Sequence, residues 1–277
     1  MPGADTLEVS LLPGARALLA AHARELPQRD ELCGAFCGAL ALAAAGIASN
    51  DRGPLDQDAV ALAAGSVISA ARQTGTLPRG EAGRRDYRLT PPSVADADVS
   101  GTTAAGLLDA LAQLSGGALE PIPYTGPWSA SALGGLFDLL AALERPATLV
   151  ANIATRHLWG GRASVEQLLG YLLGGEQGGP PPDWDVGHFV CVAGRARGPG
   201  GSLYLIADTY PALGDRGVHA QPQERLAEAL ERRDMPAGGM LAVVAAADAA
   251  GVRAGGAGLG LREVAWDNGT VSRETLP

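Results

Sequence analysis

The segment from Leu26 to Gly46 constrains the fold most, because a short polar turn leads directly into a long apolar helix. Residues 33–46 are alanine-rich and almost entirely apolar, which predicts a helix, and Gly46 suits the left-handed position that follows one. Cys33 then lies at or near the helix N-terminus, where unpaired backbone N–H groups and the helix dipole favour a thiolate. Cys33 is therefore a candidate nucleophile.

The remaining sequence predicts helices first and antiparallel strands afterwards. Helices are expected over residues 7–24, 56–72, 102–115, 129–143, 164–173 and 222–233, and strands over residues 147–153, 189–193, 202–207, 240–244 and 261–266. This order is typical of an α+β fold. We expect a single domain, 1–277, with insertions near 75–130 and 156–184.

Composition limits the class of protein. The 277 residues are 47% hydrophobic, which is enough to bury a sizeable core, and only 4% aromatic, so the core must be mainly aliphatic. The net charge of -9 argues against nucleic acid as a partner. No apolar run approaches the ~20 residues of a membrane span, and the acidic first residues do not resemble a secretory signal. With three irregularly spaced cysteines, a cytoplasmic protein with reduced thiols is expected.

Two later segments supply partners for a reactive thiol. His188 begins one strand-like run, and Asp208 ends the next. If these runs pair as a hairpin, the beginning of one lies beside the end of the other, so His188 and Asp208 become neighbours. Asp208 would then orient the imidazole that takes the proton of Cys33. Gln28, just before the cysteine helix, can donate its amide N–H to an oxyanion alongside the backbone N–H of Cys33.

These motifs resemble those of papain-like cysteine peptidases, and are closest to the peptidase domains that cleave double-glycine leaders in bacteriocin exporters. The similar features are Gln28 and a Cys-Gly step leading into an apolar helix, Gly-His-Phe-Val at 187–190, and a strand ending in Ala-Asp at 207–208. The resemblance covers about residues 26–50 and 147–247. It implies a papain-like fold, with N-terminal helices including the nucleophile helix packed on a C-terminal antiparallel sheet.

The resemblance also implies a role for each matching residue. Cys33 corresponds to the nucleophile, His188 to the base, Asp208 to the residue that orients it, and Gln28 to an oxyanion donor. Gln28 stands one residue closer to the cysteine than is usual in that family. The chain is also longer than those peptidase domains, and no transporter or membrane segment accompanies it.

Other interpretations of the cysteines remain open. Cys33 can be a small buried hydrophobic residue, and Cys37, one helical turn later, can be core packing or a resolving or alternative nucleophile. Cys33, Cys37, His188 and Cys191 have the ligand types of structural zinc, but residues three apart on a strand point to opposite faces. We therefore expect no metal, and Cys191 is expected in the core.

Further residues can lie near the site. His157, Trp128, Trp184 and Asp185 are candidates for the cleft wall, although such residues are more often loop anchors or solvated. His22 and His219 are expected on the surface. The glycine pairs match neither a phosphate loop nor a dinucleotide fingerprint, so no cofactor is expected.

The sequence thus predicts a thiol hydrolase that acts on a peptide or thioester carbonyl, in precursor or leader peptide processing. The same acyl-enzyme can instead be captured by an amine, which would make the protein an acyl or peptidyl transferase. A catalytically silent, peptide-binding member of the fold is the third interpretation. The partner in each case is a peptide or acyl substrate, and the net negative charge of the chain favours a neutral or basic substrate.

Overall fold

The apolar runs of the sequence form the strands of one large sheet and the helices on its two faces. The computed structural model describes residues 6–71, 77–160, 162–182 and 184–275. The strands are β1 (Glu8–Leu11), β2 (Ser49–Asn50), β3 (Gly53–Pro54), β4 (Ile68–Ser69), β5 (Ser93–Val94), β6 (Leu119–Thr125), β7 (Thr148–Ala154), β8 (Gly187–Gly198), β9 (Gly201–Ala207), β10 (Val218–Pro222), β11 (Gly239–Ala245) and β12 (Arg262–Glu263).

Eight α-helices are found in the described ranges. They are α1 (Ala15–Glu25), α2 (Cys33–Ala44), α3 (Gln57–Ala63), α4 (Ala104–Leu114), α5 (Ala130–Ala141), α6 (Val165–Gly174), α7 (Gln223–Glu231) and α8 (Ala249–Gly258). Short 3-10 turns occupy Ala97–Val99, Thr155–His157 and Arg273–Thr275.

The main sheet is antiparallel, with strand order β10-β9-β8-β7-β11-β6-β12, and β1 pairs with the far end of β8. The mixture of helices with a large antiparallel sheet confirms the predicted α+β class. The hairpin of β8 and β9 is also present, and its strands run on to Gly198 and Gly201, so the connection is shorter than the predicted loop.

Alternating side chains of the sheet divide the core into two layers. Phe189, Cys191 and Ala193 of β8 pack with α1, α2, α3 and α4 on one face. Val190 and Val192 pack with α5, α7 and α8 on the other face. The sheet therefore lies between two helical layers, and the cysteine helix α2 rests directly on the strand that carries His188.

Local sequence signals explain where several helices begin and end. Thr103, Ser129 and Ser164 each accept a hydrogen bond from a backbone N–H in the first turn of α4, α5 and α6 respectively. Ser164 also forms a capping box with Gln167. Gly46, after α2, has the predicted left-handed backbone with φ of 81°.

Other predicted elements were wrong in extent or missing. Residues 8–11, predicted as helix, form β1, because Pro13 and Gly14 separate them from α1 and β8 offers a free edge. The helix predicted over 56–72 ends at Ala63, before Gly65 in a left-handed conformation. The strands β6 and β10 and the glycine-rich helix α8 were not predicted.

The division into one domain with insertions near 75–130 and 156–184 stays a prediction. Within the first of these segments, α4 contributes buried Leu107 and Leu111 to the core, and β6 is hydrogen-bonded to β11. None of the helices in the described ranges is long and apolar enough to cross a membrane.

Two glycines at the third position of their helices allow a matched test of the packing. A methyl group at Gly106 of α4 would overlap the carbonyl oxygen of Ala64, which follows α3, whereas one at Gly251 of α8 would meet no atom within 4 Å. Gly106→Ala is expected to lower the free energy of unfolding by about 1–3 kcal/mol. Gly251→Ala is expected to raise it by about 0.5–1 kcal/mol, because alanine favours the helix.

Urea unfolding of both variants beside the wild type measures these changes. A Gly106→Ala variant as stable as Gly251→Ala would contradict the close approach of α4 to the end of α3.

Candidate active site

The first residue of α2 is Cys33, which is half-buried. Leu32 occupies the N-cap position, and no side chain caps this helix end. The side chain of leucine cannot accept a hydrogen bond, so it does not cap the first N–H groups of α2. These N–H groups point toward the region around Cys33. The local sequence therefore places the sulfur where the helix dipole stabilises negative charge.

The imidazole of His188 lies beside the Cys33 thiol, close enough for each group to shift the pKa of the other. His188 is the second residue of β8, and it is almost fully buried. The packing of α2 on β8 brings the start of the helix beside the start of the strand. Two residues far apart in the sequence are thereby joined.

Asp208 lies on the other side of the imidazole. Its Oδ1 is 3.0 Å from Nε2 of His188 and accepts a second hydrogen bond from the backbone N–H of Thr209 at 2.7 Å. Asp208 directly follows β9, so the hairpin produces the contact that the sequence predicted. Since Nε2 faces Asp208, Nδ1 is the ring nitrogen left for Cys33.

The pKa values of the three groups favour a thiolate–imidazolium pair. Burial would raise the pKa of Cys33, but the hydrogen bond and positive charge of His188 lower it below its ordinary value. Burial would lower the pKa of His188, but Asp208 and Cys33 together raise it to about 10. Burial would raise the pKa of Asp208, but His188 and His219 hold it well below its ordinary value. His188 and Asp208 therefore favour their charged forms near neutral pH, and the pKa of Cys33 is shifted toward the thiolate.

Two aromatic rings enclose the imidazole. The ring of Trp184 meets His188 edge-on with 4.7 Å between centroids, and Tyr210 lies nearly parallel to it at 6.2 Å. Trp184 and Tyr210 also contact each other at 5.6 Å. Because these rings cover the imidazole, the surrounding dielectric is low and the hydrogen bonds of His188 are strengthened.

Gln28 is buried and lines the same cavity as Cys33 and His188. Its Oε1 accepts a hydrogen bond of 2.5 Å from the hydroxyl of Thr209, and its backbone N–H donates to the Thr209 carbonyl at 3.0 Å. With the oxygen held in this way, the amide nitrogen is oriented away from Thr209. It makes one long contact of 3.4 Å to the carbonyl of Arg29, so it can still donate to a ligand.

Two histidines that were predicted on the surface lie behind Asp208 instead. Nε2 of His22, on α1, lies 2.6 Å from the Asp208 carbonyl oxygen, and Nε2 of His219, on β10, lies 3.2 Å from its Oδ2. The Gln221 amide lies 3.0 Å from Nδ1 of His219, so that nitrogen accepts and Nε2 donates to Asp208. The predicted surface position of His22 and His219 was wrong, because α1 places His22 against Asp208 and the pairing of β10 with β9 places His219 beside it.

The cavity beside Cys33 has a volume of about 400 Å³. Trp184 and Asp185 line it, as the sequence analysis suggested, whereas His157 and Trp128 do not. Sequence reasoning missed Thr209, and it also missed Asn152 and Arg232 in the cavity wall. The sequence carried a signal for only one of these three residues, since Thr209 directly follows Asp208.

The other two cysteines lie in the core. Cys37 and Cys191 are fully buried, and Sγ of Cys191 is 3.8 Å from the Cys37 carbonyl oxygen. Burial and the neighbouring Cys191 raise the pKa of Cys37 well above its ordinary value, which favours the neutral thiol. Within the described ranges, no group of three His, Cys, Asp or Glu residues is arranged to bind a metal ion.

Residues 12–267 match the model of one protein family, DUF6885, which is described as a family of unknown function. The chain belongs to DUF6885. The matched region includes Gln28, Cys33, His188 and Asp208, so the whole site lies within the part that DUF6885 defines. A comparison with curated proteins found no match.

The ionic pair predicts the pH dependence of thiol alkylation in this DUF6885 protein. The thiolate of Cys33 forms as the pH rises through its lowered pKa, so iodoacetamide should already react quickly near pH 6. His188→Ala removes the cation that lowers the pKa, and alkylation near pH 6 should slow by on the order of a hundredfold. Peptide mass spectrometry of quenched samples identifies the modified cysteine.

Cys37 provides the internal control, since its buried thiol should stay unmodified in the native DUF6885 protein. Alkylation of Cys33 that rises only above about pH 8, as for a free thiol, would show that the pair is not ionised.

Proposed function

We propose that the protein is a thiol hydrolase in which Cys33, His188 and Asp208 form a catalytic triad acting on a peptide or thioester carbonyl. The observation that carries the proposal is that His188 lies between the Cys33 thiol and the Asp208 carboxylate, with Cys33 and His188 in the wall of a cavity of about 400 Å³. Nucleophile, base and orienting residue are the parts that covalent acyl chemistry requires.

In the first half of the reaction, the Cys33 sulfur attacks the carbonyl carbon and forms a C–S bond. The π electrons of the carbonyl move to its oxygen, which becomes an oxyanion. The amide N–H of Gln28 and the backbone N–H of Cys33 would donate hydrogen bonds to that oxygen. His188 then donates its proton to the leaving nitrogen or sulfur, the bond to that atom breaks, and an acyl-enzyme remains.

In the second half, His188 is neutral. It accepts a proton from a water molecule while the water oxygen attacks the acyl carbon. The C–S bond breaks, the carboxylic acid leaves and the thiolate–imidazolium pair forms again. Asp208 stays ionised throughout and fixes the imidazole through Nε2, so that Nδ1 faces the sulfur.

The arrangement of elements supports a papain-like fold as part of this proposal. The cysteine begins a buried helix that packs on an antiparallel sheet, and the histidine and aspartate lie at the adjoining ends of two neighbouring strands. Processing of a precursor or leader peptide is the proposed reaction. An amine that replaces water in the second half would give acyl transfer on the same triad.

An acyl-enzyme is the intermediate that a catalytically silent binding protein would not form. Incubation with a panel of peptides and acyl thioesters, followed by rapid acid quenching, should give a mass increase on the peptide that contains Cys33. Cys33→Ala should abolish this adduct, and Cys37→Ala should keep it. Added amines reveal transfer if they appear in the product.

A panel that leaves Cys33 unacylated, although the same thiol reacts with iodoacetamide, would contradict acyl chemistry and favour a binding protein.

The role of Gln28 can be separated from that of the nucleophile. Gln28→Ala should lower kcat for acyl transfer by about 10²–10³, the effect of losing one oxyanion donor. The same variant should react with iodoacetamide within about twofold of the wild-type rate, because displacement at an alkyl carbon forms no oxyanion. Steady-state kinetics and alkylation kinetics are measured on one preparation.

An equal loss in both reactions would show that Gln28 supports the position of Cys33 or His188 rather than the oxyanion.

A further inference from the structure

Arg232 is a buried cation in the wall of the cavity that contains Cys33. It directly follows α7, and only 4% of its surface is exposed. One guanidinium nitrogen, Nη1, donates a hydrogen bond to Oδ1 of Asn152, which also accepts from the indole N–H of Trp266 at 3.2 Å. Asn152 is neutral, so it cannot balance the charge of Arg232.

No carboxylate in the described part of the chain lies within ion-pair distance of Arg232, and its Nε has no hydrogen-bond acceptor there. Arg195 is buried to the same extent and its Nε likewise has no acceptor, but its Nη2 donates to the Asp138 carboxylate at 2.5 Å. Buried cations are normally paired in this way, because an isolated buried charge is strongly unfavourable. Arg232 therefore lacks the anion that its burial calls for.

The backbone at this position is also unusual for arginine. Arg232 has φ of 44° and ψ of 46°, the left-handed conformation that glycine most readily adopts after a helix. Two glycines leave room for the side chain. A methyl group at Gly187 would come within 2.7 Å of Nη2, and one at Gly238 within 2.5 Å of Cδ. The guanidinium therefore lies beside Gly187, the residue that precedes His188.

Burial lowers the pKa of Arg232 to about 10, and the negative charge of Cys33 opposes this change. The guanidinium therefore stays protonated at neutral pH. Three other carboxylates of the cavity have donors of their own, and Asp30 accepts a hydrogen bond from the backbone N–H of Arg84 at 2.7 Å. Asp185 forms an ion pair with Arg156 at 3.0 Å, and Glu31 accepts a hydrogen bond from the backbone N–H of Ser69.

We propose that Arg232 binds a carboxylate of the substrate next to the bond that Cys33 attacks, which makes the substrate class acidic acyl compounds or peptides. This inference rests on the proposed function, and it differs from the neutral or basic substrate that the net charge of the chain favours. The carboxylate can be the α-carboxylate at a peptide C-terminus or the side chain of an aspartate or glutamate. Either would supply the missing anion through charge-assisted hydrogen bonds.

Two alkylating reagents of the same size test the charge preference. Iodoacetate carries a carboxylate and iodoacetamide a neutral amide, and both report on the same thiolate, so a change in the pKa of Cys33 cancels from the ratio of their rates. Arg232→Met should lower the iodoacetate to iodoacetamide ratio by about tenfold or more. Arg232→Lys keeps the positive charge but not the guanidinium geometry, so its ratio should lie between those of Arg232→Met and wild type.

Arg233→Met is the matched control, because Arg233 is the next residue and is exposed. It should leave the ratio unchanged. Thermal unfolding of each variant confirms that it is folded. A ratio that is the same in wild type and Arg232→Met would overturn the proposal.

Protection of Cys33 from iodoacetamide identifies the source of the carboxylate. N-acetyl-dialanine carries an α-carboxylate, N-acetyl-aspartic acid α-amide carries a side-chain carboxylate, and N-acetyl-dialanine amide carries neither. At least one acid should protect better than the neutral amide, and Arg232→Met should remove that advantage. Equal protection by all three, or by none, would overturn the assignment.

The failure of this inference is distinct from the failure of the proposed function. If Cys33 reacts with neither reagent at neutral pH, the nucleophile itself is wrong. If Cys33 reacts readily but without a preference that depends on Arg232, the triad stands and only the carboxylate site is wrong.

Discussion

The buried carboxylate of Asp208 is the group on which the site depends. It contacts His188 through Oδ1 and His219 through Oδ2, and its carbonyl oxygen accepts from His22. These histidines come from β8, β10 and α1, so one residue after β9 joins three other elements. An ionised carboxylate without such donors would be strongly unfavourable in this interior. The hydrogen bonds that stabilise its charge therefore also fix the position of the imidazole beside Cys33.

Sequence reasoning located the parts of the site that local pattern controls. The long apolar, alanine-rich run after Cys33 predicts a buried helix, and two short apolar runs separated by a glycine-rich turn predict the hairpin of β8 and β9. Those two elements suffice to bring His188 and Asp208 together. The roles of Cys33 and Gln28 stay predictions. The burial of His22 and Arg232 could not be predicted, because their partners, Asp208 and Asn152, are distant in the sequence. The position of His219 depends on β10, a strand that was not predicted.

The missed elements of the fold have a related cause. Strand β6 contains Pro121 and Pro123, which argue against an inner strand. The carbonyl oxygen of Pro123 accepts a hydrogen bond from the backbone N–H of Val264, which follows β12. In an antiparallel strand the N–H and C=O of one residue point to the same side, so the N–H that proline lacks would also face β12. Because β12 pairs with β6 over only two residues, few hydrogen bonds are lost there. Helix α8 is rich in glycine, which disfavours helices, yet Gly256 lies against Tyr124 of β6 where a larger residue would clash. Tertiary contacts outweighed local preference in both.

The charges of the site explain how a thiolate can be tolerated at the half-buried Cys33. Cys33 and Asp208 are negative when His188 and Arg232 are positive, so the four formal charges balance. A proton that moves from Cys33 to His188 leaves the sum unchanged, and so does the proposed attack on a carbonyl, which would transfer the negative charge from sulfur to oxygen. Neither step alters the net charge of the interior. The free-energy cost of burying these ions therefore arises on folding and does not add to the barrier of the proposed reaction. Arg232 completes this balance but has no carboxylate beside it, which leaves its guanidinium available to an anion that enters the cavity.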